Sequence, residues 1–315
     1  MSKGRKRLLV ILGVLLGLGI PAYWWLLLED HAPDGTWSID LAEVRKLAGS
    51  MPGDKPTEVR FEKITGFHAP HGVVMSGAGW GTTDMTVYAY QLIFPTHRAI
   101  IDTAMDEKVA KSGGADRFDN AAYQHVVTGM NEADLIAVTH EHYDHLAGLA
   151  MQPNAKELVK KSKVTKQQLE KQYLPWTRPS EPFEGYTPLD YDKYAAIAPG
   201  VVLIRAAGHT LGSQIVYVQR ADGAELLFLG DVAWHLENVE HERERARLAT
   251  LIVGEDRDQV GLELRELHRL MAAEPKLSLV PGHDAEQNAK LASAGLMKEG
   301  FALGPIAAPE AVPAQ

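Results

Sequence analysis

The chain has 315 residues, of which 45% are apolar and 23% are charged. This balance excludes a disordered or fibrous chain and predicts a folded protein with a full core. The 41 acidic residues outnumber the 32 basic ones and give a net charge of −9, which argues against nucleic acid as a partner. Cysteine is absent, so disulfides, thiolate metal sites and a cysteine nucleophile are excluded.

The amino terminus has the pattern of a membrane anchor. A basic segment, residues 1–7, precedes an apolar run over residues 8–28 that would be about 31 Å long as a helix, close to the thickness of a hydrocarbon core. This order predicts a cytoplasmic amino terminus, a transmembrane signal anchor and a body outside the cytoplasm, in the periplasm if the source is a double-membrane bacterium. The alternative is a signal peptide whose cleavage would release a secreted body, but no small-x-small cleavage site follows Ile20.

Three parts follow the anchor. Residues 29–56 have the pattern of a linker with a short helix, for which Ser38 is the predicted N-cap of Ile39–Ala48. Residues 57–300 alternate apolar runs, turns and charged helical stretches, and they form the predicted catalytic domain. Residues 301–315 are an Ala- and Pro-rich tail that is predicted to be flexible.

Within the catalytic domain, runs rich in branched apolar residues predict strands. The early ones are Val59–Ile64, Thr86–Phe94 and Arg98–Asp102. Two charged helices are predicted over Leu236–Ile252 and Asp256–Ala273, with the charges of residues 237–247 on a solvated face. Between these regions, residues 174–199 are rich in proline and aromatic side chains, including Trp176, and are expected to form a lid or pocket wall.

Histidine and aspartate collect directly after apolar strands. The motif H-E-H-Y-D-H over residues 140–145 follows a strand predicted over Ala133–Val138. Three further strand ends carry the same residue types, and they lead to His209, Asp231 and His283. Because sites gather beyond strand ends in sheets that are flanked by helices, we expect these side chains to meet.

The residue types indicate metal chemistry. Five imidazoles and two carboxylates exceed what one tetrahedral ion can bind, so two divalent ions that share a bridging carboxylate are predicted. Zn²⁺ is the first expectation, with Fe or Mn as alternatives. Two such ions would generate a bridging hydroxide at neutral pH, a nucleophile for a carbonyl or phosphoryl centre.

The order of these motifs resembles the metallo-β-lactamase superfamily, and the segment around Gly208-His209-Thr210 resembles its glyoxalase II and acyl-homoserine lactonase branch. The resemblance implies an α/β fold, an αββα sandwich with the metals at one edge. It assigns each ligand a place: the first metal takes His140, His142 and His209, the second takes Asp144, His145 and His283, and Asp231 bridges the two. Asp102 is implied to support the site from behind the ligands.

The resemblance implies a hydrolase for a small ester, lactone or thioester, with Asp144 and Asp231 as the catalytic carboxylates, and the predicted anchor would hold it at the membrane. Trp234 takes the position at which acyl-homoserine lactonases carry a substrate-contacting Tyr, and His235 follows it, so both are candidate pocket residues together with Trp176. The alternatives are phosphodiesterase or β-lactamase activity on the same fold and, from another class, a non-hydrolytic di-iron redox protein.

Overall fold

An apolar helix, α1 (Lys3–Tyr23), begins the chain, and a π-helical turn, Trp24–Leu28, continues it. The computed structural model describes residues 2–170 and 178–306. None of the α1 side chains, all of which are described, is buried against the body. The span Lys3–Leu28 is long and apolar enough to cross a membrane, with a mean hydropathy of 2.0, a test that a signal sequence also meets.

The body contains two mixed sheets. The strands are β1 (Glu58–Pro70), β2 (Thr82–Ile93), β3 (Arg98–Ile101), β4 (Arg117–Phe118), β5 (Leu135–Ala137), β6 (Tyr194–Ala198), β7 (Val201–Arg205), β8 (Gln214–Gln219), β9 (Glu225–Gly230), β10 (Leu277–Pro281) and β11 (Lys298–Glu299). The first sheet has the order β11-β1-β2-β3-β5, with β4 paired to β1, and the second has the order β10-β9-β8-β7-β6. The pairs β3/β5 and β9/β10 are parallel, so each pair ends at one edge of its sheet.

Helices pack around the two sheets. They are α2 (Leu41–Ala48), α3 (His71–Val74), α4 (Glu107–Ser112), α5 (Asn120–Glu132), α6 (Tyr143–Ala150), α7 (Ala155–Lys160), α8 (Lys166–Glu170), α9 (Leu236–Glu240), α10 (Arg247–Val253), α11 (Arg257–Ala273) and α12 (Ala285–Ser293). Helices α4 to α7 lie over the first sheet, and α2, α9 and α11 lie over the second.

Three apolar layers hold this arrangement together. Alternation along β9 shows the principle: Leu226 and Phe228 pack between the two sheets, whereas Leu227 and Leu229 pack under the outer helices. The strands are therefore buried on both faces, which explains their nearly continuous apolar sequence. The predicted αββα sandwich is confirmed.

Helix α2 begins later than predicted. It starts at Leu41 instead of Ile39, and its N-cap is Asp40, whose carboxylate accepts a hydrogen bond of 3.0 Å from the Glu43 amide. The Ile39 amide is used differently, because it donates to the buried carboxylate of Glu266 at 2.9 Å. The predicted N-cap at Ser38 is therefore wrong by two residues.

The single helix predicted over Leu236–Ile252 is also wrong. The chain breaks between α9 and α10, and Glu242 adopts a positive φ of 52° there. The break turns Glu244 and Arg245 into the interior, where 4% and 1% of their surfaces are exposed. The charges predicted to lie on a solvated face are thus partly buried, because each finds an oppositely charged partner inside the protein.

The aromatic-rich stretch over residues 174–199 and the carboxy-terminal tail were also assigned from the sequence. The described part of the aromatic-rich stretch contains a 3₁₀ turn, Glu181–Phe183, and strand β6 at the sheet edge, while Trp176 lies outside the described residues. The tail is fixed at its start instead of flexible, because Phe301 is buried and its amide donates to Glu62 at 2.7 Å.

Candidate metal centre

The predicted ligands all lie where strands end at one edge of the sandwich. His140 and His142 occupy the loop after β5, and α6 begins directly afterwards, so that Asp144 and His145 lie in its first turn. Of the remaining ligands, His209 lies in the β7–β8 connection, Asp231 follows β9 and His283 follows β10. Parallel pairing of β9 with β10 and of β3 with β5 brings these carboxyl ends together.

One set of side chains, which we call the imidazole group, consists of His140, His142 and His209. The Nδ1 atom of His142 lies 3.0 Å from Nε2 of His209. The carboxylate atom Oδ2 of Asp231 lies 3.5 Å from Nε2 of His209 and 3.8 Å from Nε2 of His140. Four potential ligand atoms thus surround one point, and all four residues are buried.

The second set, the carboxylate group, consists of Asp144, His145 and His283. Nε2 of His145 lies 3.6 Å from Oδ2 of Asp144, and Nε2 of His283 lies at the same distance from that oxygen. Oδ1 of Asp231 completes the group, at 3.3 Å from the His145 nitrogen and 3.1 Å from the His283 nitrogen. Asp231 therefore faces both groups with different oxygens.

The spacing fits divalent cations. A metal–ligand bond of about 2.1 Å in a tetrahedral site places neighbouring ligand atoms about 3.4 Å apart, and the quoted separations run from 3.0 to 3.8 Å. Nε2 of His140, Nε2 of His145 and Oδ1 of Asp231 are buried without a hydrogen-bond partner. Because such atoms are costly to bury unsatisfied, a cation is the partner that this arrangement fits.

Asp102 supports the carboxylate group from behind. Its Oδ2 accepts a hydrogen bond of 2.8 Å from Nδ1–H of His145, which leaves Nε2 of that ring facing the centre. The amide and the hydroxyl of Thr139 donate to the same carboxylate at 2.7 and 2.8 Å. Asp102 follows β3 with a positive φ of 59°, a conformation that Asp tolerates better than most residues. The side chain of Asp102 therefore orients His145 from the side away from the centre.

Glu255 has the corresponding position behind the imidazole group and was not among the predicted site residues. Its Oε2 accepts a hydrogen bond of 2.8 Å from Nδ1–H of His209, and its side chain is fully buried. The guanidinium of Arg245 contacts the same carboxylate and donates to the main-chain oxygen of Asp231. Burial raises the pKa of Glu255 to about 7, and the positive charge of Arg245 opposes that rise. Neither residue lies in a motif or at a strand end, so no sequence signal marks them.

A main-chain oxygen and an indole N–H also form hydrogen bonds with the predicted ligands His283 and Asp231. Nδ1–H of His283 donates to the main-chain oxygen of Thr86 at 3.0 Å. The indole N–H of Trp234 donates to Oδ2 of Asp231 at 2.8 Å, and the guanidinium of Arg245 stacks on the indole at 4.3 Å from the ring centre. In the structure Trp234 therefore directs its N–H at a ligand. His235 points elsewhere, since its Nε2 contacts the main-chain oxygen of Asp84 at 3.0 Å.

Glu141 separates two ligands in the sequence and faces away from the centre. Its carboxylate is buried, and it accepts a hydrogen bond of 2.7 Å from the Thr210 hydroxyl. Because Thr210 follows His209 directly, this contact ties the loop of one ligand to the loop of another. Glu141 therefore packs between these two loops.

Two glycines allow the close approach of the strand ends. A Cβ atom at Gly282 would lie 2.5 Å from Oδ1 of Asp231, closer than any side chain can tolerate. Gly230 adopts a positive φ of 50°, and a Cβ there would lie 2.7 Å from Cβ of Thr139. Any larger residue at either position would displace a ligand or its support.

The two groups differ in their electrostatics. Burial lowers the pKa of His142 to about 4 and holds the pKa of His140 and of His209 well below the usual value. Burial also acts on His145, but the carboxylates of Asp144 and Asp102 outweigh it and raise the pKa of that ring. The imidazole group is therefore neutral and ready to bind a cation, whereas His145 in the carboxylate group would release a proton when a cation binds.

Known structures share this architecture. A quorum-quenching N-acyl homoserine lactone lactonase superimposes with a TM-score of 0.59 at 18% identity, over 76% of this chain and 97% of its own. A lactone hydrolase with N-hexanoyl-L-homoserine bound at its catalytic metal centre gives 0.57 at 18% identity, over 75% and 96%. AidC, a dizinc quorum-quenching lactonase, gives 0.52 at 12% identity, over 75% and 90%. These likenesses establish the fold.

No curated protein matches the chain in sequence. A sequence model of the β-lactamase superfamily domain matches residues 97–283, more than half of the chain. The matched range contains all the residues of both ligand groups, Asp231 and Asp102. The chain belongs to the β-lactamase superfamily.

Proposed function

We propose that the protein is a membrane-anchored, dinuclear metal-dependent hydrolase of a small ester, lactone or thioester. The observation that carries the proposal is the position of Asp231, whose two carboxylate oxygens face two separate groups of buried ligands. A carboxylate placed in this way can join two cations at one reaction centre. The catalytic roles of Asp231 and Asp144 are part of the proposal.

Two divalent ions held by these groups would supply a hydroxide at neutral pH and would polarise the oxygen of a scissile carbonyl. The residues of the chain would bind the two ions and fix their positions. The imidazole group would hold one ion and the carboxylate group the other, and Asp231 would fix the distance between the two groups. Asp102 and Glu255 keep His145 and His209 in the tautomer that turns Nε2 to the centre. Zn²⁺ is the proposed metal, since imidazole and carboxylate ligands suit it.

The proposed substrate class follows from the structural relatives. Three of them are described as lactonases or lactone hydrolases, and they cover about three quarters of this chain. A lactone, an ester and a thioester share an acyl carbon bonded to an oxygen or sulfur leaving group, so one centre can act on all three.

A panel of substrates tests this proposal. Metal-replete full-length protein is assayed with lactones, aryl esters, thioesters, a phosphodiester and a β-lactam, and the Asp231→Asn variant measures contaminating activity. We expect the highest kcat/KM among the acyl compounds. A higher kcat/KM for the phosphodiester or the β-lactam than for every lactone, ester and thioester would replace the proposed substrate class with that alternative.

Contacts hold the end of the apolar helix, from Leu27 onward, against the body. The Gly77 amide donates to the main-chain oxygen of Leu27 at 3.0 Å, and the Ser76 hydroxyl donates to that of Glu29 at 2.7 Å. The Glu29 carboxylate pairs with Arg247 and Arg257. Cleavage beyond Glu29 would leave these groups without their partners, whereas cleavage near Ile20 would keep them.

Fractionation and protease accessibility test the anchor and its orientation. We expect the full-length chain in membranes at its uncleaved mass, with the body digested by protease added outside spheroplasts. A soluble, shortened product would favour the cleaved signal peptide. Digestion only after lysis would reverse the topology.

A further inference from the structure

Helix α10 exposes three aliphatic side chains on one face. Leu248, Leu251 and Ile252 follow the i, i+3, i+4 spacing that places residues on the same side of a helix, and they are 39%, 61% and 78% exposed. The buried residues Ala249 and Thr250 occupy the opposite side. A contiguous apolar face of this kind on a folded body indicates a partner.

This face lies beside the end of the apolar helix. Arg247, the first residue of α10, stacks on the indole of Trp25 at 4.7 Å from the ring centre and pairs with Glu29. Trp80 is 69% exposed and stacks on Tyr23, with ring centres 5.9 Å apart. The exposed residues of the body therefore continue the apolar surface of the anchor.

We infer that the juxtamembrane face, which we define as Trp24, Trp80, Leu248, Leu251 and Ile252, lies in the interfacial region of the bilayer leaflet from which the anchor emerges. The inference rests on the anchor of the proposed function and extends it from a tether to a docked body. Tryptophan is typical of the membrane–water interface, and aliphatic side chains are favourable just beneath it.

Ion pairing removes the electrostatic obstacle to docking. The acidic residues at the helix exit would repel an anionic leaflet, but Glu29 pairs with Arg247 and Arg257, and Asp30 pairs with Arg243 at 3.0 Å. Glu29 and Asp30, the acids at the helix exit, therefore each have a guanidinium partner. A lipid surface is the occupant that fits, because the apolar run over residues 8–28 leads directly to the face.

The docked segment is joined to the metal centre at both ends. Arg245, just before α10, donates to the main-chain oxygen of Asp231, and Glu255, just after it, holds His209. Seating α10 in the leaflet would thus fix the position of the metal centre relative to the membrane.

The absence of native cysteine allows single labels to test the inference. Full-length variants Leu251→Cys and Ile252→Cys carry an environment-sensitive fluorophore and are reconstituted in vesicles with or without bromine-labelled lipid. Met151→Cys, a site 42% exposed at the end of α6, is the matched control. Leu16→Cys, inside the apolar helix, reports on the anchor itself.

We expect blue-shifted emission and bromolipid quenching at positions 251, 252 and 16, and neither at 151. Quenching at 16 with water-like emission at 251 and 252 would overturn the docked face and leave the anchor intact. Blue-shifted emission at 252 without bromolipid quenching would show that protein covers the face, which also overturns the inference. No quenching at 16 would refute the anchor and the docked face together.

A charge-insertion variant provides a second readout. In a chain with Leu251→Asp and Ile252→Asp, a label at Trp80→Cys should lose its bromolipid quenching, while the label at Leu16→Cys keeps it. Unchanged quenching at position 80 would contradict the role of α10 in holding the body on the leaflet.

Discussion

The imidazole group and the carboxylate group face the same residue, Asp231, but they are built differently. The imidazole group contributes only rings whose pKa burial lowers, and it is held by the buried pair of Glu255 and Arg245. The carboxylate group adds the charge of Asp144 and is held by Asp102, which sits at a strand end in a left-handed conformation. One centre can thus be assembled from two halves that have different supports and share one carboxylate.

Removing the shared carboxylate tests both halves at once. Asp231→Asn should lower kcat/KM by at least about a thousandfold, because it weakens the binding of both cations that stabilise the transition state. Elemental analysis should show fewer than two metals per chain. Asp222→Asn, at a carboxylate that is 55% exposed, is the matched control and should behave like the parent protein. A fully active Asp231→Asn enzyme would contradict the bridging role.

A steric change beside Asp231 should have the next largest effect. In Gly282→Ala the new Cβ would lie 2.5 Å from Oδ1 of Asp231, so the carboxylate must move. Displacement of a reacting group by about 1 Å costs on the order of a hundredfold in rate. Gly49→Ala, whose Cβ would have no neighbour closer than 3.6 Å, should keep full kcat. Equal kcat for the two variants would show that the position of Asp231 is less constrained than its contacts indicate.

Asp102 supports the carboxylate group and Glu255 supports the imidazole group, so variants of the two residues should affect different metal sites. Asp102→Asn and Glu255→Gln each remove a negative charge behind one ligand, so each should weaken one of two metal affinities by about ten- to a hundredfold. Competition with a chromogenic chelator measures both affinities. The double variant should weaken both affinities. If either single variant lowered both affinities equally, the halves would not be independent.

Loss of the Trp234 hydrogen bond should have the smallest effect of the series. Trp234→Phe keeps a ring under Arg245 but removes the N–H that donates to Asp231, which should lower kcat by about tenfold and leave KM unchanged. Trp37→Phe, in the apolar layer under the outer helices, is the control. A raised KM with constant kcat would instead support the substrate contact that the sequence suggested.

The ligands could be predicted because their residue types are rare in clusters and because each follows a recognisable apolar strand. His140 and Asp231 illustrate this, since both stand at the end of a buried strand in the sequence and in the fold. Glu255 and Arg245 could not be predicted, because their burial depends on the chain break at Glu242, which a charged helical pattern conceals. The direction of the Trp234 N–H likewise depends on packing against Arg245, which no local pattern encodes.

Metal titration tests the central claim most directly. Full-length protein is stripped with a chelator, and hydrolysis of a lactone or aryl ester is measured as Zn²⁺ is added in known ratios to the chain. With two ligand groups joined by Asp231, activity should be absent in the stripped protein and should rise until about two equivalents are bound. Full activity without metal, or a plateau at one equivalent, would contradict the dinuclear centre.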